Sequence, residues 1–303
     1  MIESDAEMTV ARDRWAEWLA ERRFGGDPDL RRRVLSELVA RRDKVLDLSE
    51  LARGESLLDV GCGEGLIAFG ALERGAGRVV FSDISRDLLD FCRQAATDLG
   101  CLERCQFIEA SADDLAAIGD GTIDVVTTRS VLIYVANKRA AFAEFARVLR
   151  PGGRISLFEP INRFASSTRE TDSWAGYDFG PLGDIGLKLR AVYEAIQSGD
   201  SDPMLDFDER DLIRLAEDAG FFPIQLLLDA EIKRPDPRTW EGFVNGSGNP
   251  NIPTVAEAMN QVLTASEREQ CTAYLRPLVE QGLGEWRMAL AHLVGVKPES
   301  SVR

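Results

Sequence analysis

The chain has 303 residues, 45% of them hydrophobic, and 51 acids against 36 bases leave a net charge of −15. That is apolar material for one large core with a small added unit, and the acidic balance argues against a nucleic-acid partner, whose phosphates need clustered Lys and Arg. The basic clusters present, Arg31 to Arg33 and Arg41 to Lys44, are interleaved with acids and apolar residues and read as a solvated helix face.

No signal-peptide pattern opens the chain: Met1 to Glu7 holds three acids and no apolar core follows. No run approaches membrane-spanning length. Five cysteines, Cys62, Cys92, Cys101, Cys105 and Cys271, are an odd number for a disulfide framework and suit reduced thiols in a cytoplasm. Cys101 and Cys105 form the one close pair, and with a single histidine in the chain a structural metal site lacks ligands, so no metal is expected.

Residues 1–52 read as a helical cap. Trp15, Trp18 and Leu19 form one apolar group, and Leu30, Val34, Leu35, Leu38 and Val39 form another at helical spacing, with Gly25, Gly26 and Pro28 between them. The next segment, Leu57 to Gly65, is an apolar run breaking into a turn with glycines at 61, 63 and 65. This spacing is one residue short of the Gly-x-Gly-x-x-Gly of dinucleotide sites. Asp59 and Glu64 lie in and beside the turn, where carboxylates oppose a pyrophosphate and suit a cation. A dehydrogenase is therefore disfavoured, and a sulfonium nucleoside without phosphate is favoured.

Strand and helix then alternate. Strands are predicted at 57–60, 78–82, 105–109, 123–128 and 154–158, and helices at 66–74, 86–98 and 138–149, the last ending at Arg150-Pro151-Gly152-Gly153. Such alternation specifies a parallel sheet with helices on both faces, and ligands collect at the carboxyl ends of its strands. Asp59, Asp83, Ser111 to Asp114 and Arg129 then share one edge. Beyond Pro160, a segment rich in Gly, Asp, Ser and aromatics holds a helix near 185–198. A helix at 208–219, a strand at 223–232 and a last strand within Trp286 to Lys297 complete the pattern.

Four stretches, LLDVGCGEG from Leu57, VVFSDIS from Val79, IDVVTTRSVLIYV from Ile123 and FARVLRPGGRISLFEP from Phe145, resemble in order and spacing the motifs of class I methyltransferases dependent on S-adenosylmethionine (SAM), with a UbiE-like small-molecule core. The resemblance implies an α/β fold: a Rossmann-like, seven-stranded, mostly parallel sheet with helices on both faces, N-terminal helices and lid insertions. It divides the chain into a cap (1–52), a SAM-binding core (53–160), a substrate lid (161–206), a core continuation (207–234), a helical insertion (235–284) and a last strand with tail (285–303).

The same resemblance implies cofactor contacts from Asp59, Gly61, Cys62, Gly63 and Gly65, ribose binding by Asp83 and adenine packing by Ile84. The family's adenine-binding acid falls at Ser111, so that contact passes to Ser111, Ala112 or Asp113, while Arg129 and Ser130 line the methionine side. Methyl transfer is an in-line displacement with a good leaving group, so alignment and exclusion of water supply much of the acceleration. No catalytic residue is assigned. Glu159, Tyr134, Asp178 and His292 are weak candidates for a base, His292 reading more readily as structural. Tyr134, Trp174, Tyr177, Phe179, Trp240 and Phe243 are candidates for a substrate pocket.

The expected activity is transfer of a methyl group to oxygen or nitrogen of a small molecule or short peptide, as in natural-product biosynthesis. The expected product is S-adenosylhomocysteine (SAH), and the expected state is a monomer or homodimer with no membrane or nucleic-acid partner. The alternatives are a metalloid or thiol methyltransferase using Cys101 and Cys105, and a non-catalytic SAM-fold scaffold.

Overall fold

Alternate residues of each central run face opposite sides of one sheet. Leu58, Val60, Val80, Val126, Ile155 and Leu157 pack with Phe142, Phe145 and Leu212 on one face, and Leu57, Val79, Phe81, Val125 and Phe158 pack with Val45, Leu46, Ile67 and Leu89 on the other. Runs buried on both faces are what a helix-covered parallel sheet requires. The structure is a computed structural model and describes residues 12–167, 173–197 and 202–299. Expectations for 1–11, including Met1 to Glu7, and for 300–303 lie outside the described residues.

In chain order the elements are α1 (Arg14–Glu17), continuing into a π-helical turn (Trp18–Arg22), α2 (Pro28–Leu48), β1 (Ser56–Val60), α3 (Leu66–Glu73), β2 (Arg78–Asp83), α4 (Arg86–Asp98), β3 (Cys105–Glu109), β4 (Ile123–Arg129), α5 (Lys138–Val148), β5 (Leu149–Pro160) and α6 (Asn162–Ser167). A small hairpin of β6 (Ser173–Trp174) and β7 (Tyr177–Asp178) follows, then α7 (Asp184–Ile196), α8 (Glu209–Asp218), β8 (Ile224–Lys233), α9 (Trp240–Val244), α10 (Val255–Val262), α11 (Ala265–Glu280) and β9 (Trp286–Val296).

The sheet order is β3-β2-β1-β4-β5-β9-β8, with β9 antiparallel to both its neighbours. The seven-stranded, mostly parallel α/β architecture expected from the sequence is therefore present. Strand order reverses between β1 and β4, which pair in parallel from Leu57↔Val125 to Val60↔Thr128, and the crevice at such a switch point is where ligands bind. β5 begins earlier than expected, because Ile123 pairs with Leu149 and Val125 with Arg154, so the Pro-Gly-Gly turn is a bulge within the strand.

Helix starts follow local chemistry. Asp27 caps α2 ahead of Pro28, Ser85 caps α4 through Leu88 N–H at 3.2 Å, and reciprocal capping boxes start α8, α10 and α11.

A third apolar cluster is separate from the sheet. Tyr177, Phe179, Leu189 and Tyr193 pack with Trp240, Phe243, Met259, Cys271 and Leu275, so the segments read as two insertions share one helical core. The N-terminal segment lies against this unit: Trp18 Nε1 donates to the Ser247 carbonyl at 2.9 Å, and Arg22 pairs with Glu257 at 2.6 Å. Gly25 approaches so closely that a Cβ there would stand 2.2 Å from the Gly242 carbonyl oxygen.

Candidate active site

The crevice is built from strand ends. After Val60 the backbone turns through Gly61 at φ +64° and Gly63 at φ +54°, values that favour glycine. A Cβ on Gly61 would meet Val131 Cγ2 at 2.4 Å, so this glycine is demanded by packing as well as by backbone angle. A Cβ on Gly63 would meet only Leu19 Cδ1 of the cap, at an ordinary contact distance of 3.9 Å. Gly65 precedes α3, also at positive φ.

Asp59 and Asp83 fix the turn from below. Asp59 accepts from Thr127 Oγ1 at 2.9 Å and from Ala68 N–H at 3.2 Å, which ties β1 to β4 and α3. Burial pushes its carboxyl up to about 7. Asp83, at the end of β2, accepts the Gly63 N–H at 2.8 Å and the Ser85 N–H at 2.9 Å. Burial raises this carboxyl too. Each Asp83 oxygen retains acceptor capacity for a ribose hydroxyl.

The remaining cofactor candidates gather around these two. The Cys62 and Cys92 thiols both point at the Gly63 carbonyl, at 3.8 and 3.2 Å, and Cys92 together with burial pushes the Cys62 thiol well up. Ile84 is 49% exposed beside Asp83. Ala110 N–H donates to the Asp83 carbonyl at 3.0 Å, which sets Ser111, buried Ala112 and Asp113 next to it, with the Ser111 hydroxyl donating to the Asp113 carboxylate. Arg129 ends β4, and Ser130 follows at φ +59° with its N–H on the Phe158 carbonyl at 2.8 Å.

The candidate bases separate. Glu159 is buried at the end of β5, where Oε1 accepts from Thr128 Oγ1 at 2.8 Å and Val131 N–H at 3.1 Å and Oε2 accepts from Leu132 N–H at 3.1 Å. This carboxyl, which burial pushes up to about 7, holds the β4–α5 turn. Tyr134 sits in that turn edge-on to Trp15, centroids 4.9 Å apart, and burial pushes its phenol up to about 12.

His292 packs against Phe158 at 5.0 Å. Its Nδ1 is buried with no hydrogen-bond partner among the described residues; burial first, then Lys44 and Arg41, pulls the imidazole down to about 4. Asp178 is exposed and accepts from Gly180 N–H at 2.8 Å within the helical unit.

Of the pocket candidates whose side chains are described, Tyr134 stands in the turn after β4 beside the crevice. Tyr177, Phe179, Trp240 and Phe243 are buried inside the helical unit, with Phe243 contacting Tyr177 at 5.5 Å and Trp240 at 5.9 Å. Trp174 belongs to the β6–β7 hairpin, and its side chain lies outside the described residues. Cys101 and Cys105 lie at the start of β3, the end of the sheet remote from the crevice, and the Cys105 thiol is spent on the Cys101 carbonyl at 3.2 Å.

Sequence reasoning missed the cap's attachment. Asp13 caps α1 through Trp15 and Ala16 N–H, accepts the Ser85 hydroxyl at 2.6 Å, and gives its own N–H to Asp87 at 2.5 Å. The first helix is thereby hooked to the β2–α4 turn that carries Asp83. An aspartate two residues before a Trp is a legible N-cap, but its distant partners carry no sequence signal. Arg23 was missed as well; it stacks on Trp18 and Phe24 with its guanidinium 5.5 and 5.3 Å from their centroids.

Residues 58–157, which carry the glycine turn and Asp83, match the model of a family described as a methyltransferase domain. The chain is 30% identical over 179 residues to the ubiquinone/menaquinone biosynthesis C-methyltransferase UbiE of Francisella tularensis subsp. novicida, 57% of this chain and 69% of that protein. The chain belongs to the class I SAM-dependent methyltransferases. Its methyl donor is accordingly SAM.

The methyltransferase is also 38% identical over 101 residues to the tRNA 5-carboxymethoxyuridine methyltransferase of Escherichia coli K12, 33% of this chain and 38% of that one. Net charge alone therefore gives no ground for excluding a nucleic-acid acceptor. Among solved structures the fold is similar, at TM-score 0.52 and 17% identity, to geranyl diphosphate C-methyltransferase from Streptomyces coelicolor A3(2), over 90% of this chain and 84% of that one. The methyltransferase spans 33 to 70% of the lengths of the first curated relatives it matches. No helix among the described residues is long and apolar enough to cross a membrane.

Proposed function

We propose that the protein transfers the methyl group of SAM to an oxygen or nitrogen of a small molecule or short peptide in the cytoplasm, as a biosynthetic enzyme. The observation that supports this most is the Asp83–Gly63 hydrogen bond, which holds a carboxylate with spare acceptor capacity against the glycine turn at the switch point. Asp83 would take the ribose hydroxyls, Ile84 and the Ser111–Asp113 segment the adenine, and Gly61, Gly63 and Asp59 the methionine arm.

The transfer step needs alignment and exclusion of water more than proton abstraction. Glu159 has its carboxylate engaged by three donors, and Tyr134 and His292 are poorly poised as neutral-pH bases. An acceptor that already carries a nucleophilic lone pair fits best. Methyl transfer to an acceptor panel from SAM labelled with carbon-13 in the methyl group tests this. A product methyl whose carbon shift reports oxygen or nitrogen agrees with the proposal, and absence of any labelled product favours the non-catalytic scaffold.

A carbon acceptor is the second reading, favoured by the match to a C-methyltransferase over 69% of its length. The same carbon shift separates it from the first.

A further inference from the structure

Two guanidinium groups near the crevice are in direct contact with no carboxylate among the described residues. Neither the Arg23 side chain, on the cap, nor that of Arg129, at the end of β4, donates a hydrogen bond or forms an ion pair within 4 Å among the described residues. Neighbouring arginines are committed: Arg22 to Glu257 at 2.6 Å, Arg41 to Glu37 at 3.0 Å, and Arg42 to Asp43 at 2.9 Å. Of the carboxylates nearby, Asp59 is occupied by Thr127 and Ala68, and Glu159 by Thr128, Val131 and Leu132, while Glu64, exposed on the glycine turn, faces both arginines across solvent without a hydrogen bond to either. Burial, and next the charge of Arg129, pulls Arg23 down to about 10, with Glu64 and Tyr134 opposing. Two half-buried like charges whose N–H groups bond to no carboxylate favour an anion placed between them, and exposed Glu64 answers this need only at a distance.

SAM supplies one carboxylate, and one carboxylate fills one guanidinium fork. Arg129 stands in the strand beside that of Asp59, on the side of the cofactor's methionine arm. Arg23 stands on the cap, stacked on Trp18 and Phe24 and within electrostatic reach of Tyr134, whose ring meets Trp15. Stacking holds a guanidinium flat with its N–H edge free.

We propose that Arg23 binds a carboxylate of the methyl acceptor, which makes the acceptor an aromatic or largely apolar organic acid. Trp15, Trp18, Phe24 and Tyr134 supply rings for its body. This deepens the methyltransferase reading and rests on it.

The test is calorimetry on the full chain, with SAH titrated first; failure at that step concerns the functional reading and not Arg23. In SAH-saturated protein, 2-naphthoate is expected to bind about tenfold or more tighter than neutral 2-naphthamide. R23Q is expected to lose that preference while binding SAH within roughly threefold of the wild type, and R23K to keep part of it. Circular dichroism shows that each variant is folded. Equal binding of naphthoate and naphthamide to the wild type overturns the proposal. So does a fall in SAH affinity of R23Q without a matching fall for 5′-methylthioadenosine, because Arg23 would then hold the cofactor's own carboxylate.

Discussion

The Ser85 hydroxyl donates to the Asp13 carboxylate at 2.6 Å, joining the turn after Asp83 to the first helix of the chain across 72 residues. Asp83 itself accepts the Ser85 N–H, so the proposed ribose ligand and the cap are one hydrogen-bonded unit. Asp13→Ala removes the α1 cap and the hook together. A loss of about 1–2 kcal/mol from the cap segment is expected, read as faster hydrogen exchange over residues 13–24 and a severalfold weaker affinity for SAH. Unchanged exchange in that segment would show that the hook does not hold the cap.

Asp83→Asn keeps one acceptor oxygen but loses the charge that strengthens hydrogen bonds from ribose hydroxyls. A fall in SAH affinity of roughly 10- to 100-fold is expected, since bonds to charged groups contribute about 1.5–3 kcal/mol. The melting temperature without ligand should move little by comparison. An equal affinity for SAH would remove Asp83 from the ribose role.

The two inner glycines should separate under substitution. Gly61→Ala drives a methyl into Val131 and should destabilise the free protein by about 1–3 kcal/mol. Gly63→Ala makes only an ordinary contact with Leu19 and adds mainly positive-φ strain of about 1 kcal/mol, yet it places a methyl on the turn proposed to approach the cofactor. Thermal melts with and without SAH should show a large intrinsic loss for Gly61→Ala, and for Gly63→Ala a loss mainly of the ligand-induced shift.

Asp59 and Glu159 give stability a pH signature. Burial raises both carboxyls to about 7 in the folded protein, so between their ordinary values and about 7 the folded state binds more protons than the unfolded chain. Stability from these two groups therefore falls as pH rises across that window and levels off above it. Glu159→Gln removes one of them. The denaturation free energy of the wild type minus that of Glu159→Gln should decline by ~1–3 kcal/mol between pH 5 and pH 8. A flat difference would mean that Glu159 titrates normally.

Much of the core was legible because its strands are apolar runs closed by turn residues. The predicted helix 86–98 coincides with α4, and the strand 105–109 coincides with β3. Asp83 was readable from its position at a strand end, and Ser85 from its capping chemistry. The aromatic residues after Pro160 were less tractable. Hydrophobicity says that Tyr177, Trp240 and Phe243 seek apolar surroundings, but not whether those are a ligand or one another, and here they pack on one another. Glu159 presented the same difficulty, since its three donors come from a turn about thirty residues earlier. The hook from Asp13 depends on contacts across more than seventy residues, which no local pattern encodes.

The glycine turn and Asp83 are proposed to hold a sulfonium nucleoside. Isothermal titration of the full chain with SAH tests it most directly. One molecule bound per chain, with a dissociation constant on the order of micromolar and most of that affinity lost in Asp83→Asn, is the expected result. No heat at millimolar SAH, or equal binding by wild type and Asp83→Asn, would contradict it.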